Sequence, residues 1–389
     1  MTPLNLADPS VGPAHDVLLI AGNRPEAARL APVAAAMSKA GRIEPVAVAT
    51  GADPMRVHVA LELLGVPADV TLLLGERPAS QVAAAAAMSL RLDELMAQRR
   101  PSAVLVTGGG LAALVGAQVA FWRQIPVVYL EPGPNQLGSS QHCPFPDGAN
   151  RRVVGQLASL FLLAGEHTGG CAPDGPHAIR VGDTIAPAAL VDPALGELAT
   201  RVGAGRSRVA MLDAETPVVL DAVDELLAEH ADLEIVLVGR SVPAELREHP
   251  RVSVLPDPEL PDVLGIARLA TLAATDRPAG YREALDLGLP ALLVDHPDAV
   301  EPPPGAVPAD RDRVLAELTR LLAAQPAGPA SAVDPDAPRR VEHALAWMFG
   351  LEASADPELD RPSDRPRDGG VDGGVDGGVD APAAPLAEE

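Results

Sequence analysis

The chain has 389 residues, 47% apolar and 21% charged: material for two cores of ordinary size, and too apolar for a disordered polypeptide. Only 2% are aromatic, so those cores must be assembled from Ala, Val and Leu. With 30 Lys+Arg against 53 Asp+Glu, the formal charge of -23 repels phosphate backbones and anionic lipid, so no nucleic-acid or membrane partner is expected.

Residues 1–15 lack a basic stretch followed by an apolar one, so no secretory leader is expected, and this segment reads as a flexible N-terminus. No apolar run approaches the roughly 18 residues of a transmembrane helix, and a cytoplasmic location is expected. The run 16–21 then reads as a buried parallel strand, ending in Gly22-Asn23-Arg24-Pro25. A helix is predicted over 26–40 from Leu30, Val33 and Met37, and Pro32 predicts that it kinks or starts late. Further on, strands are predicted at 45–50, 103–107 and 126–130, and helices at 54–64, 79–98 and 111–122. The strand at 103–107 runs into Gly108-Gly109-Gly110, and the one at 126–130 ends at Glu131.

The pattern pauses over 191–207 and restarts. Strands are predicted at 209–212, 234–238, 252–255, 270–273 and 291–294, with helices near 216–230, 260–268, 280–287 and 311–324. Repeated βα units imply an α/β fold: two Rossmann-like, doubly wound parallel-sheet domains at 16–190 and 208–337, joined by a linker at 191–207. Ligands in such sheets bind beyond the carboxyl ends of the strands, so the cleft between the two domains is the expected site. Residues 338–350 form one more helix candidate. From 351 to 389 the chain carries three GGVD units, acids and prolines, and reads as a disordered acidic tail with a solubilising role.

Two cysteines, Cys143 and Cys171, make neither a disulfide framework nor a structural zinc site. His142 beside Cys143 does not converge on one centre, because adjacent side chains diverge. No metal and no cofactor are expected.

The strand–turn–helix at Gly22-Asn23-Arg24-Pro25-Glu26-Ala27 puts a guanidinium at a helix entrance, where backbone N–H groups already suit a diphosphate. Three more segments follow in order: Tyr129-Leu130-Glu131-Pro132-Gly133, Pro146-Asp147-Gly148-Ala149-Asn150-Arg151, and Gly182-Asp183-Thr184. Together the four resemble the non-hydrolysing UDP-N-acetylglucosamine 2-epimerase family, which carries GTRPEA, HVEAG, PEEANR and GNT in these places. The resemblance spans roughly 16–350 and is specific over 16–190.

It implies a glycosyltransferase-B-like fold with a nucleotide-sugar cleft and a terminal helix packed back on the first domain. It also implies anti elimination of UDP across C1–C2 of the sugar, then re-addition with C2 inverted. Such chemistry needs groups that move protons on the two faces of the ring and positive charge on the departing diphosphate. By this resemblance Glu131 and Asp147 are the catalytic candidates; Asp147 is one methylene shorter than the family's Glu, and its bland reading is a helix N-cap. Arg24, Arg29, Arg151, Arg277 and Glu283 are the nucleotide-sugar-binding candidates, Glu283 matching a ribose-diol acceptor. The partner is then a UDP-sugar, and a homodimer is compatible.

The departures are as specific. The family's HGD, with its catalytic Asp, reads Thr107-Gly108-Gly109, so Gly109 offers no proton. Its TGHR stretch corresponds to 211–217, which has no His, and its DSGG phosphate turn is Asp276-Arg277-Pro278-Ala279. Its Gln-His after the second strand is Gly51-Ala52. Two other readings therefore stay open: a catalytically degenerate member that binds a nucleotide sugar or a protein partner, its phosphate turn closed by Arg277 and Pro278, and a glycosyltransferase of the same fold.

Overall fold

The computed structural model describes residues 15–75, 78, 80–131, 146–164, 178–185, 198–199, 208–213, 216–256, 258–287, 289–295, 306–323 and 334–352. The expected flexible N-terminus up to residue 14, the His142–Cys143 pair, Cys171, most of the 191–207 linker and the tail from 353 lie outside them.

The first half runs β1 (His15–Ala21), α1 (Arg24–Ala40), β2 (Ile43–Ala49), α2 (Pro54–Leu63), β3 (Val70–Thr71), α3 (Gln81–Arg99) and β4 (Ala103–Thr107). It continues with α4 (Leu111–Trp122), β5 (Val127–Glu131), α5 (Asp147–Leu157), β6 (Leu160–Leu163) and β7 (Ala178–Arg180). The second half runs β8 (Arg208–Asp213), α6 (Pro217–Leu220), α7 (Val223–Glu229), β9 (Leu233–Val238), α8 (Ala244–Arg247) and β10 (Val252–Leu255). Then come α9 (Leu260–Leu269), β11 (Leu272–Thr275), α10 (Pro278–Asp286), β12 (Ala291–Leu293), α11 (Arg311–Ala323) and α12 (Ala337–Met348). The strands make two parallel sheets, one of seven in the order β3-β2-β1-β4-β5-β6-β7 and one of five in the order β10-β9-β8-β11-β12.

Both sheets reverse strand order at one place, between β1 and β4 in the first and between β8 and β11 in the second. At such a point the loops leave the sheet in opposite directions and open a crevice at the carboxyl ends. The helices cover both faces, which is why the central strand Val17–Ala21 is buried throughout. With so few aromatics, the largest rings in the first core are Tyr129 and Phe161, packed edge to face with centroids 5.1 Å apart.

Helix α1 starts at Arg24 and runs through Pro32 without interruption, giving up only the bond to the Ala28 carbonyl. Asn23 caps it, its Oδ1 accepting from the Glu26 N–H at 2.8 Å. Strand β11 sits two residues later than expected, because the Ala270 N–H still closes α9 on Ile266 and Thr271 N–H bonds Val209. The helix expected over 216–230 is two short ones, α6 and α7. Strands β3, β6 and β7 and helix α8 were not expected; each has only two to four residues.

The second half is tied to the first. Leu260 and Leu264 of α9 belong to the same buried cluster as Leu30 and Val33 of α1, and the Arg268 guanidinium donates to the Ile185 carbonyl at 2.8 Å. Helix α12 returns to α1: Val341, Ala344 and Leu345 are fully buried in that cluster. Arg42 fastens it, with Nε and Nη2 on the two carboxylate oxygens of Glu342 at 2.6 and 2.9 Å. Arg42 also pairs with Glu352, and His15 stacks on Phe349 with ring centroids 4.4 Å apart. Leu351 and Glu352, which composition assigns to the tail, are thus held against the body.

Candidate active site

The carboxyl end of β1 turns sharply into α1. Gly51 lies against this turn: it has φ 98°, and an ideal Cβ there would sit 2.1 Å from the Gly22 carbonyl oxygen. No side chain fits that approach, so the Gln expected of the family has no place there. Glu26, in the first turn of α1, folds its carboxylate back, and Oε2 accepts from the Gly22 N–H at 2.7 Å. The same carboxylate covers the β4 turn, since a Cβ on Gly110 would be 2.5 Å from Glu26 Oε1. Glu26 was not singled out from sequence; its signal was the Asn-x-x-Glu spacing of a helix capping pair.

Gly109 is the position to which the sequence resemblance assigns the family's catalytic Asp. A Cβ there would lie 2.4 Å from the carbonyl oxygen of Asp147 and 3.0 Å from Cγ of Arg151. The first turn of α5 therefore occupies the space of the missing side chain, and Asn150 Nδ2 holds it by donating to the Gly109 carbonyl at 2.9 Å. Asp147 is the first residue of α5 and half-buried. The cap position belongs to Pro146, which overturns the N-cap reading of Asp147.

Glu131 closes β5 with 3% of its surface exposed, and its Oε1 has no hydrogen-bond partner among the described residues. Burial pushes its carboxyl up to about 8, against the opposing pull of the Arg151 guanidinium. At neutral pH Glu131 therefore carries its proton. Arg151 is itself 4% exposed, on the buried face of α5. A buried acid next to a buried cation, at the end of a central strand, is what a proton-transfer site requires.

The nucleotide-sugar candidates separate. Arg24 at the entrance of α1 reaches across to the second half, where Nη2 donates to Glu283 Oε2 on α10 at 2.6 Å. Glu283 keeps a second, buried oxygen with no hydrogen-bond partner among the described residues. Arg29 is buried one turn further along α1, and its carbonyl accepts from the Thr184 hydroxyl at 3.0 Å. Arg277 precedes α10 and donates through Nε to Asp213 Oδ2 at 2.7 Å. Asp213, at the end of β8, is a further residue the sequence reading did not single out. Among the described residues there is no cluster of His, Cys, Asp and Glu that could hold a metal, and no helix long and apolar enough to cross a membrane.

Residues 35–169 match the family model for UDP-N-acetylglucosamine 2-epimerase. The UDP-N-acetylglucosamine 2-epimerase of Bacillus subtilis strain 168 is 23% identical over 315 residues, 73% of this chain and 81% of that protein. The Escherichia coli K12 enzyme of the same name is 25% identical over 349 residues, 79% of this chain and 90% of its own. Among solved structures, the UDP-GlcNAc 2-epimerase of Neisseria meningitidis bound to UDP-GlcNAc superposes with a TM-score of 0.53 at 21% identity, covering 85% of this chain and all of that one. In its two parallel sheets, in its match over 35–169 and in relatives spanning most of its length, the chain is similar to the UDP-N-acetylglucosamine 2-epimerases.

Proposed function

We propose that the protein interconverts UDP-N-acetylglucosamine and UDP-N-acetylmannosamine by eliminating and re-adding UDP in the cleft between its two sheets. The observation that carries this is the Arg24–Glu283 bond: it joins the helix entrance at one sheet reversal to the helix that follows the other. Arg24 and Arg151 supply positive charge for the departing diphosphate, and Glu283 offers its second oxygen to the ribose diol. Asp147 removes the C2 proton on one face of the sugar, and protonated Glu131 delivers a proton to C2 on the other, inverting that centre. With Gly109 closed to any side chain, these two carboxyls carry the proton work that the family divides among more groups. Arg29, packed inside α1, supports that helix entrance. The protein works in the cytoplasm, as a homodimer.

The reading is tested by incubating the protein with UDP-N-acetylglucosamine and following the sugar H2 signal by NMR. A second set of signals from the C2 epimer, growing to a constant ratio, is the expected result. Intact substrate together with measurable UDP binding would instead identify a nucleotide-sugar-binding protein without catalysis.

A further inference from the structure

Strands β4 and β5 are paired, β4 running into Gly108-Gly109-Gly110 and β5 ending in Glu131. The two ends brace one another. The Thr107 hydroxyl donates to the Leu130 carbonyl at 2.7 Å, holding from β4 the peptide group that leads into Glu131. In return the Tyr129 hydroxyl donates to the Gly108 carbonyl at 3.1 Å, holding from β5 the first peptide group of the glycine turn. Thr107 and Tyr129 are both fully buried, and the Tyr129 ring is packed edge to face on Phe161. A phenylalanine would fill that core as well. The buried hydroxyl contributes only about 1 kcal/mol to stability once its desolvation is counted, so its distinctive effect is on the turn.

Three consecutive glycines leave the turn no side chain of its own, and Gly110 caps α4 without a side-chain bond. Such a segment loses more freedom on ordering than any other. It is nevertheless fixed at two successive carbonyls, Gly108 by Tyr129 and Gly109 by Asn150 Nδ2 at 2.9 Å. The second bond comes from α5, where the residue after Asn150 is Arg151. Of the charged groups at this turn (Asp147 and Arg151 on α5, Glu26 on α1), Arg151 is the one whose charge acts on Glu131. We propose that Tyr129 and Asn150 are positioning residues: through the carbonyls of Gly108 and Gly109 they seat α5 so that Arg151 lies beside the buried carboxyl of Glu131, an inference that rests on the function proposed above. The seat keeps water from an acid that must hold its proton until the sugar is in place.

NMR titration of the full chain, isotope-labelled in its glutamate carboxyl carbons and free of substrate, tests this. The Glu131 signal is the one missing from Glu131→Gln, and its wild-type midpoint should lie at about 8. Burial is the larger cause of that elevation and Arg151 opposes it, so water entering a loosened site should lower the midpoint. Asn150→Ala and Tyr129→Phe should each lower it by about one pH unit or more. Each should also slow C2 exchange about tenfold or more. Phe161→Leu thins the same core but keeps both bonds to the turn; it should lower the melting temperature and leave the midpoint near 8. If Asn150→Ala and Tyr129→Phe lower only the melting temperature, the two bonds are structural and the proposal is wrong while the functional reading stands. A midpoint that falls as far in Phe161→Leu would trace to general loosening and overturn the proposal as well. If the midpoint moves as expected but wild-type protein exchanges no C2 proton, the functional reading fails and this inference with it.

Discussion

Arg24 and Glu283 lie 259 positions apart in the chain and are joined by one hydrogen-bonded ion pair of 2.6 Å. Each belongs to a different sheet's crevice, so the bond sets how the two crevices meet. Both side chains are about a quarter exposed or less, which limits the stabilising value of the pair. A double-mutant cycle on thermal unfolding with Arg24→Ala and Glu283→Ala should give a coupling of about 0.5–1 kcal/mol. The larger effect should be on ligand: Arg24→Ala should lose at least tenfold in UDP affinity. A near-zero coupling with unchanged UDP binding would detach this pair from the site.

Glu131 predicts a pH dependence with a definite sign. Its folded pKa near 8 lies above the ordinary value of 4.5, so the native state holds a proton that the unfolded chain releases. Its contribution to stability is full below pH 4.5 and is lost as pH rises through about 8. Glu131→Gln cannot ionise, so the melting temperature of that variant should fall less than wild type between pH 5 and 9. C2 exchange should disappear in the variant, with UDP binding nearly intact, and wild-type turnover should decline above about pH 8 as the acid deprotonates. Turnover that rises through that range would make Glu131 a base.

Gly109→Asp restores the family's residue type in a place the fold has already filled. Its Cβ meets a backbone carbonyl at 2.4 Å, which no side-chain adjustment relieves. The substitution should cost about 1–3 kcal/mol through displacement of α5, and turnover should fall. A more active and equally stable variant would show that α5 moves aside freely.

Much of the fold was legible because its strands are continuous apolar runs and its helices carry clear start signals. β4 and α4 fall on their predicted residues, and α1 is announced by Asn23 and Pro25. The two-residue β3 and four-residue β6 offer too little pattern, and β11 slipped because Ala270 and Thr271 look equally like strand and helix end. At the site, Arg24 and Glu131 could be found because strand ends and helix entrances are visible in sequence. The Asp213–Arg277 pair could not: 64 residues separate its members, and only the adjacency of β8 and β11 brings them together. The same holds for Gly109, whose closure by Asp147 depends on where α5 docks.

Helix α12 should act as a clasp on α1. Glu342 is buried while Arg42 is a third exposed, so the pair is screened on one side only. Glu342→Ala should cost about 1–2 kcal/mol after that screening, a fall of roughly 2–4 °C per kcal/mol in melting temperature. Arg42→Ala should cost a similar amount, and the double variant no more than the two combined. An unchanged melting temperature in both would mean that the apolar contacts of Val341, Ala344 and Leu345 hold the helix unaided.

The most direct measurement is exchange at C2. Purified full-length protein, incubated with UDP-N-acetylglucosamine in deuterium oxide, should return substrate and C2 epimer that both carry deuterium at C2, with a small amount of free UDP. Such exchange requires that the bond to the C2 proton be broken in this cleft. UDP-N-acetylglucosamine recovered without deuterium after prolonged incubation, by protein that binds UDP, would contradict the account.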